Sequence, residues 1–410
     1  MTKIVDVRGR RVWDSRGRPT VEAEVVTERG LGRAIAPAGA STGAGEAREL
    51  RDGGTRLGGR DVRQAVAHVQ GPIRQALLGC DVADQAGLDA ALIALDGTPD
   101  KHRLGANAIV AVSLACVQAA AQAAGRPLWA HLAQDGLPAG QAPRLPLPEV
   151  QIFGGGAHAA ARVDLQDFLL VAPGARSFCE ALEWTAEVYH AAGARMARRG
   201  AGGGVADEGG WWPDFRGNEE AIEELTRAIE DTGLRAPRDV AIALDVASSQ
   251  FYDGHCYTLR LDGRRLEREA FADSDPQGMR AFTARMGSRV QIVGDDYFVT
   301  DARRVRQGAA EGACNAVLLK PNQIGTVTET RAAWDAARAA GYGAIVSARS
   351  GETEDVSIVH LAVGWGVPQL KVGSFARSER MAKWNEALRI EEALGGARAA
   401  FPAPGIYPGG

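Results

Sequence analysis

Five short apolar stretches of the chain end in side chains that could do acid, base or ion-binding chemistry. The residues at these ends are Asp245, Asp295, Lys320, Arg349 with Ser350, and Lys371. Continuous apolar stretches of this length are typical of buried parallel strands, and in a β/α barrel the carboxyl ends of the strands carry the chemistry. We therefore expect these side chains to meet at one active site, where carboxylates could hold a cation and a lysine could move a proton.

The segment 289–320 shows which elements must position these ends. An apolar stretch over 290–293 is cut off by Gly294 and Asp295, Thr300 is predicted to cap a helix over 301–311, and a second apolar stretch over 316–319 stops at Lys320. This is a strand, a helix and a strand, and 240–244, 344–346 and 369–370 continue the pattern. A single Asp after a strand is most simply a solvated turn residue, but five such ends favour a shared site.

The composition is that of an ordinary soluble protein. A length of 410 residues suits two domains, one of them large enough for a barrel of roughly 250 residues. The net charge of −4 gives no basic field for nucleic acid, and the five cysteines show no paired metal spacing. No apolar signal core or run of about 18 apolar residues is apparent, so we predict a cytoplasmic protein without a membrane or nucleic-acid partner.

The first part of the chain is predicted to be a smaller α+β domain. Residues 4–36 are strand-like, and helical patterns follow near 61–70 and 107–124. The small-residue loop 37–43, which contains Ser41, is either a plain connection or a lid. Prolines and glycines over 135–148 rule out helix or a central strand, so the predicted domains are 1–137 and 138–410.

Six motifs, in their order along the chain, resemble the signature stretches of enolase. They are Asp14-Ser15-Arg16-Gly17, Gly39-Ala40-Ser41-Thr42-Gly43, Asp207-Glu208-Gly209-Gly210, Gly294-Asp295-Asp296, Arg349-Ser350-Gly351-Glu352-Thr353-Glu354-Asp355, and Arg389-Ile390-Glu391-Glu392. The resemblance covers nearly the whole chain. It implies an α/β fold with a TIM-type β/α barrel behind an α+β N-terminal domain, Mg²⁺ as cofactor, and a homo-oligomer, a dimer or larger.

Enolase removes water from 2-phosphoglycerate to give phosphoenolpyruvate, and the resemblance implies a role for each matching residue. Lys320 would be the base that takes the proton beside the carboxylate, and Glu208 the acid that protonates the departing hydroxyl. The implied catalytic residues are Glu208, Lys320, Lys371 and Asp167. The implied substrate-binding residues are His158, Arg349, Ser350 and Ser41, and the implied metal ligands are Asp245, Asp295 and Ser41. The substrate would be a small phosphorylated carboxylate.

Three departures from the family pattern concern the barrel wall and the substrate. Enolases carry a further metal-binding Glu between the positions of Asp245 and Asp295, but here that interval is shorter by roughly twenty residues, about one helix and one strand. Ala348 stands where the family has His, and Asp167 where it has Glu. We therefore predict a barrel that is irregular or lacks one strand unit. The sequence leaves open whether Glu269, Asp273 or Asp275 reaches the metal.

These departures favour the first of three functions. The first is a specialised paralogue, such as carboxyphosphoenolpyruvate synthase in the biosynthesis of phosphonate or phosphinate antibiotics, because smaller residues at 348 and 167 leave room for a larger substrate. The second is a housekeeping glycolytic enolase. The third is an inactive enolase-like scaffold, which the retention of both a base and an acid argues against.

Overall fold

The computed structural model describes residues 2–40, 43, 45–200, 203–253, 255–261, 263–266, 275–396, 399–402 and 407. Its strands are β1 (Ile4–Trp13), β2 (Pro19–Thr27), β3 (Leu31–Ile35), β4 (Leu147–Gly154), β5 (Asp167–Val171), β6 (Ala241–Asp245), β7 (Tyr257–Leu259), β8 (Arg264–Leu266), β9 (Val293–Gly294), β10 (Ala316–Leu319), β11 (Gly343–Ser347) and β12 (Gln369–Gly373). Its α-helices are α1 (Arg63–His68), α2 (Arg74–Leu77), α3 (Gln85–Asp96), α4 (Ala106–Ala123), α5 (Leu128–Gly136), α6 (Phe178–Arg198), α7 (Asn218–Asp231), α8 (Pro276–Met286), α9 (Ala302–Glu311), α10 (Pro321–Ile324), α11 (Val327–Ala339), α12 (Ser357–Trp365) and α13 (Ser378–Ala393).

The N-terminal part is an antiparallel three-stranded sheet, in the order β1-β2-β3, covered by helices. Val21, Ala23 and Val25 alternate along β2 and are fully buried, as the sequence pattern predicts. Helix α4 packs across β2 and β3, and Gly32 allows the close approach, because a Cβ at this position would lie 1.9 Å from the carbonyl oxygen of Ala115.

Helix α4 corrects one expectation from the sequence. Its 18 residues, Ala106–Ala123, are long and apolar enough to cross a membrane by length and composition. However, 83% of this window is buried inside the protein. Helix α4 is therefore the core helix of the N-terminal domain, and its apolar composition reflects burial on nearly all sides.

The second part of the chain is a curled seven-stranded sheet surrounded by helices, in the order β6-β5-β4-β12-β11-β10-β9. Strand β5 pairs antiparallel with both β4 and β6. The other pairs in the sheet, β4-β12, β12-β11, β11-β10 and β10-β9, are parallel. From β9 onwards strands alternate with helices, and α9, α11 and α12 connect successive parallel strands. The strand ends with predicted chemistry therefore face the same mouth of the sheet.

The barrel wall is open between β6 and β9. These are the two outer strands of the sheet, and within the described residues neither pairs with the other or with a strand between them. The interval holds the small hairpin β7-β8 and helix α8 instead. The predicted α/β fold, with a barrel that is irregular or lacks one strand unit and an α+β domain before it, is thus confirmed.

The segment between β6 and β9 also contains the three acidic residues that could replace the metal-binding Glu of the family. The side chain of Asp275 accepts a hydrogen bond from the backbone N of Gln277 and caps helix α8. Glu269 and Asp273 lie outside the described residues. The structure therefore gives Asp275 a local helix-capping role.

Two local expectations were wrong in detail. Strand β9 covers Val293–Gly294 rather than 290–293, because only the part opposite Ala316 and Val317 of β10 finds a ladder partner. Helix α9 is capped by Asp301, since the hydroxyl of Thr300 is engaged with Gln323 instead. At the start of α11 the hydroxyl of Thr326 caps the helix, because it accepts a hydrogen bond from the backbone N of Glu329.

Candidate active site

The predicted strand ends converge on one depression at the carboxyl mouth of the sheet. Its lining residues are Ala40, His158, Gln166, Glu208, Asp245, Lys320, Ser347, Ala348, Arg349, Ser350 and Lys371. Asp167 and Asp295 lie against this set, because each contacts one of its lysines. Ser41, predicted to bind substrate and metal, lies outside the described residues, although Ala40 beside it lines the depression.

Lys371 is buried at the centre of this mouth between two carboxylates. Its Nζ lies 2.9 Å from Oδ2 of Asp167 and donates a hydrogen bond to Oδ2 of Asp245. Burial disfavours the charged ammonium, but Asp167 and Asp245 outweigh burial and raise the pKa of Lys371 well above its usual value. Lys371 is therefore a fixed cation, suited to holding an anionic group or stabilising developing negative charge.

Lys320 and Asp295 form the matching pair near the other edge of the sheet. Lys320 Nζ donates to Oδ2 of Asp295 at 2.6 Å, and Gln323 Nε2 donates to Oδ1 of the same carboxylate at 2.9 Å. Burial would raise the pKa of Asp295, but Lys320 overcomes burial and lowers it. The side chain of Lys320 is only 13% exposed. Lys320 thus reaches the depression from the end of β10.

A compact group of acidic and imidazole side chains lies opposite Lys320. Ligand atoms of His158, Asp167 and Glu208 lie within 4.8 Å of one another, the one such group of three in the part of the chain that the structure describes. Nδ1 of His158 is 3.0 Å from Oδ1 of Asp167, and Nε2 is 3.9 Å from Oε1 of Glu208. Burial lowers the pKa of His158, but Glu208 and Asp167 together raise it above its usual value. This group could exchange a proton or hold a cation.

Glu208 projects from a tight turn that only a glycine at position 209 allows. The backbone N of Gly209 donates to the carbonyl of Ala206, its φ is +92°, and a Cβ there would lie 2.3 Å from the carbonyl oxygen of Ala376. The carbonyl of Glu208 accepts from Ser374 N, just beyond β12. The turn therefore fixes the acid against the end of the strand that carries Lys371.

The N-terminal domain holds the predicted anion-binding pair from the other side. Arg349 is buried, and its Nη1 donates to Glu46 Oε2 at 3.1 Å and to Asn322 Oδ1 at 3.0 Å. Nη1 of Arg16 donates to the hydroxyl of Ser350 at 3.2 Å. Arg16 also donates to backbone carbonyls of the small-residue loop. Both domains thus build this part of the site.

Several residues of the site went unrecognised in the sequence. Glu149 on β4 is 4% exposed, and its burial, with the charge of Asp245, raises its pKa to about 7. It pairs in register with Lys371 on β12, so both side chains face the barrel interior. A carboxyl group inside a largely apolar stretch, 147–153, was a usable signal. The partners Glu46, Gln166 and Gln323 offered no such signal, because only the fold brings them near the carboxylates.

The donor set fits a divalent cation. In the contacts of Lys320, Lys371 and Arg349, the carboxylates of Glu46, Asp167, Asp245 and Asp295 outnumber the cations, and Glu208 adds to the excess. Hard carboxylate oxygens with excess negative charge suit Mg²⁺. The predicted ligands Asp245 and Asp295 lie at the two open edges of the sheet and each is paired with a lysine. The ion itself is not identified by the structure.

Ala348 and Asp167, which stand where the enolase pattern has His and Glu, both lie at the mouth of the sheet. Ala348 lines the depression directly before Arg349, and Asp167 sits at the start of β5 with its side chain fully buried. Both replace longer side chains of the family pattern. The smaller residues therefore lie beside Arg349 and Lys371 at the mouth and not at the surface.

Comparisons with known proteins match the chain along its whole length. The enolase N-terminal domain matches residues 4–132, and the enolase C-terminal TIM barrel domain matches residues 142–270 and 265–403. A protein named enolase from Rubrobacter xylanophilus is 48% identical over 429 aligned residues, which cover 99% of this chain and 98% of the relative. The break in the barrel match falls between β6 and β9. The 429 aligned positions exceed the 410 residues of the chain by 19, so the relative has residues that are absent here.

Removing the central lysine should destabilise the metal-free protein. We expect Lys371→Met to lower the free energy of unfolding by about 3–5 kcal/mol at pH 7, because it leaves the buried carboxylate of Asp167 without its cation. The lowered pKa of Asp167 stabilises the folded state above its unfolded pKa of about 4, and this contribution is lost as the pH falls. Urea unfolding should therefore show the difference shrinking towards acid pH. Lys3→Met, at an exposed lysine, should change little; an equal loss in both variants would contradict the assignment.

Mg²⁺ should bind the substrate-free protein weakly. The two predicted carboxylate ligands, Asp245 and Asp295, are each paired with a lysine, and Asp167 at the same mouth shares Lys371 with Asp245, whereas Mg²⁺ requires nearly octahedral oxygen coordination. Calorimetric titration should show weak binding that strengthens when 2-phosphoglycerate is added. Asp295→Asn should weaken it further, but Asp301→Asn, at the cap of α9, should not. Tight binding without substrate that is indifferent to Asp295→Asn would count against these ligands.

Proposed function

Because the chain belongs to the enolase family and is a hydro-lyase of that family, we propose that it removes water from 2-phosphoglycerate to give phosphoenolpyruvate. The observation that carries the proposal is the convergence of Lys320 and Glu208 on one depression that also contains Lys371 and Arg349. A base, an acid and two anion-holding cations are what the elimination requires.

In the proposed reaction, Lys320 in its neutral form takes the proton from the carbon beside the substrate carboxylate. The electron pair left on that carbon forms the new double bond, and the neighbouring hydroxyl leaves as water after Glu208 protonates it. The lysine reaches the depression from the end of β10, and the acid reaches it from the turn at 206–209 between α6 and α7, so the two groups come from different elements of the barrel. This arrangement lets one group remove a proton while the other delivers one.

The remaining groups bind and orient the substrate. Arg349 offers a planar fork of donors for a phosphate, and Ser350 lies beside it on the same loop. Lys371 stays charged and attracts the carboxylate end or the negative charge that develops there. A divalent cation, proposed to be Mg²⁺ held by Asp245, Asp295 and Ser41, would supply further positive charge against the second negative charge of the substrate carboxylate.

A second candidate is a larger substrate of the same class, a 2-phosphoglycerate that carries an extra group on phosphorus. Ala348 directly before the predicted phosphate pair, the shorter Asp167 and the open barrel wall all favour additional space at the mouth. The enolase name of the full-length relative favours the first candidate. The comparisons give no support to antibiotic biosynthesis.

An inactive scaffold is the weakest alternative. Keeping Lys371, Asp167, Glu208 and Arg349 buried together costs desolvation free energy that a protein without chemistry would have no reason to bear. The cytoplasmic location, the homo-oligomer and the domain boundary at residue 137 stay predictions.

The direct test is the formation of phosphoenolpyruvate, followed by ultraviolet absorbance with added Mg²⁺. We expect the wild-type protein to convert 2-phosphoglycerate with a kcat/KM in the enzymatic range of about 10⁴–10⁸ M⁻¹s⁻¹. Lys320→Ala should lower kcat by about 10²–10⁴-fold, because it removes the base, whereas Lys3→Ala should not. A folded protein that turns over neither substrate would contradict the proposed function.

The choice between the two substrates rests on residue 348. If the larger substrate is the natural one, the protein should prefer 2-phosphoglycerate with a carboxyl group on phosphorus, because plain 2-phosphoglycerate leaves the enlarged site unfilled and is held less firmly in the reacting pose. Ala348→His should then shift the ratio of the two kcat/KM values towards plain 2-phosphoglycerate. Ala340→His, at the exposed end of α11, is the control. A wild-type protein that ignores the carboxylated compound would eliminate this second candidate.

A further inference from the structure

The side-chain amide of Gln151, which belongs to none of the six enolase-like motifs, lies beside the cluster of His158, Asp167 and Glu208. Gln151 on β4 is fully buried, and its Nε2 donates a hydrogen bond to Oδ1 of Asp167 on β5. Its Oε1 accepts from the backbone N of Gly210 at 2.8 Å. One side chain therefore uses both ends of its amide to join two strands to the turn that carries Glu208.

The contacts around Asp167 show what this bridge controls. Oδ1 of Asp167 accepts a hydrogen bond from Nε2 of Gln151 and lies 3.0 Å from Nδ1 of His158. Oδ2 of Asp167 lies 2.9 Å from Nζ of Lys371. The backbone N of Asp207 donates to the carbonyl of His158, so the turn and the imidazole are also tied to each other. The positions of the carboxylate, the imidazole and Glu208 thus depend on one another.

The length of the Gln151 side chain matches the shortness of Asp167. The family pattern has Glu at this position, and Asp withdraws the carboxylate towards its own strand by one methylene group. A long amide from the neighbouring strand reaches it there. The turn is shaped around that amide, because a Cβ at Gly210 would lie 2.6 Å from Oε1 of Gln151.

We propose that Gln151 is a positioning residue that holds Asp167 and the Glu208 turn in the reacting geometry and compensates for the shorter acid at position 167. The proposal rests on the proposed function for its kinetic consequences. Gln151 does not line the depression and acts through its neighbours. Without its Nε2, Asp167 loses a donor, and without its Oε1 a buried backbone N–H loses its acceptor.

The test is a double-mutant cycle with the single variants Gln151→Asn and Asp167→Glu and the double variant. In each single variant the length of one side chain no longer matches that of the other. We therefore expect kcat for phosphoenolpyruvate formation to fall by about 10–100-fold with little change in KM, because a misplacement of about 1 Å can cost 10²-fold in rate. The double variant exchanges the lengths of both side chains and should recover most of the lost kcat.

Gln118→Asn is the matched control for shortening a bridging glutamine. Gln118 on α4 donates to the hydroxyl of Ser357 and accepts from the backbone N of Arg33, away from the depression. It should lower the melting temperature without changing kcat. Independent losses in the two single variants that multiply in the double variant would overturn the compensation.

A spectroscopic measurement separates this inference from the proposed reaction. The ring nitrogen signals of His158, assigned in ¹⁵N-histidine-labelled protein by comparison with His158→Gln, should move in Gln151→Asn and return towards the wild-type position in the double variant. This holds whether or not 2-phosphoglycerate is the substrate. An unmoved His158 signal would overturn the inference even in an active enzyme, whereas a moved signal in a protein without turnover would contradict only the proposed function.

Discussion

The site depends on one buried lysine surrounded by carboxylates. Lys371 is the cation that allows Asp167 to stay charged inside the sheet, and Asp167 and Asp245 together raise the pKa of Lys371 and keep it protonated. Charges removed from water are tolerated only when each finds a partner in good geometry. Lys371, Asp167 and Asp245 thereby tie β12, the amino end of β5 and the carboxyl end of β6 together at the mouth of the sheet.

Much of this arrangement could be predicted because it follows from short stretches of sequence. An apolar stretch that stops at a charged residue indicates both a buried strand and a side chain at its end, and β6, β10, β11 and β12 all appear where such stretches occur. The shortened interval before Asp295 likewise predicted an incomplete barrel wall, since a missing strand must shorten the chain. These features are local, and the periodicity of the sequence carries them.

The partners of the site residues could not be predicted in the same way. Glu46 meets Arg349 across about three hundred positions of sequence, and Gln151 meets Asp167 only because β4 and β5 pair in one register. Polar residues with no neighbouring motif look alike in a sequence, whether they cap a helix or hold a catalytic group. Asp275, which seemed available as a metal ligand, is taken up by the first turn of α8.

The open wall also has a consequence for how the barrel resists local unfolding. The outer edge of β6 has no ladder partner among the described residues, and the side chains of Ala241–Asp245 are only partly buried, with Leu244 42% exposed. In a closed barrel every strand is protected on both sides, whereas here the backbone amides on one side of β6 face outward. Amide hydrogen exchange in the barrel should accordingly be fastest at this seam and slowest near β12, whose neighbours flank it on both sides. Because one edge of β6 is unpaired among the described residues, we expect the local stability of this strand to depend on the contacts that Asp245 makes at the mouth of the barrel.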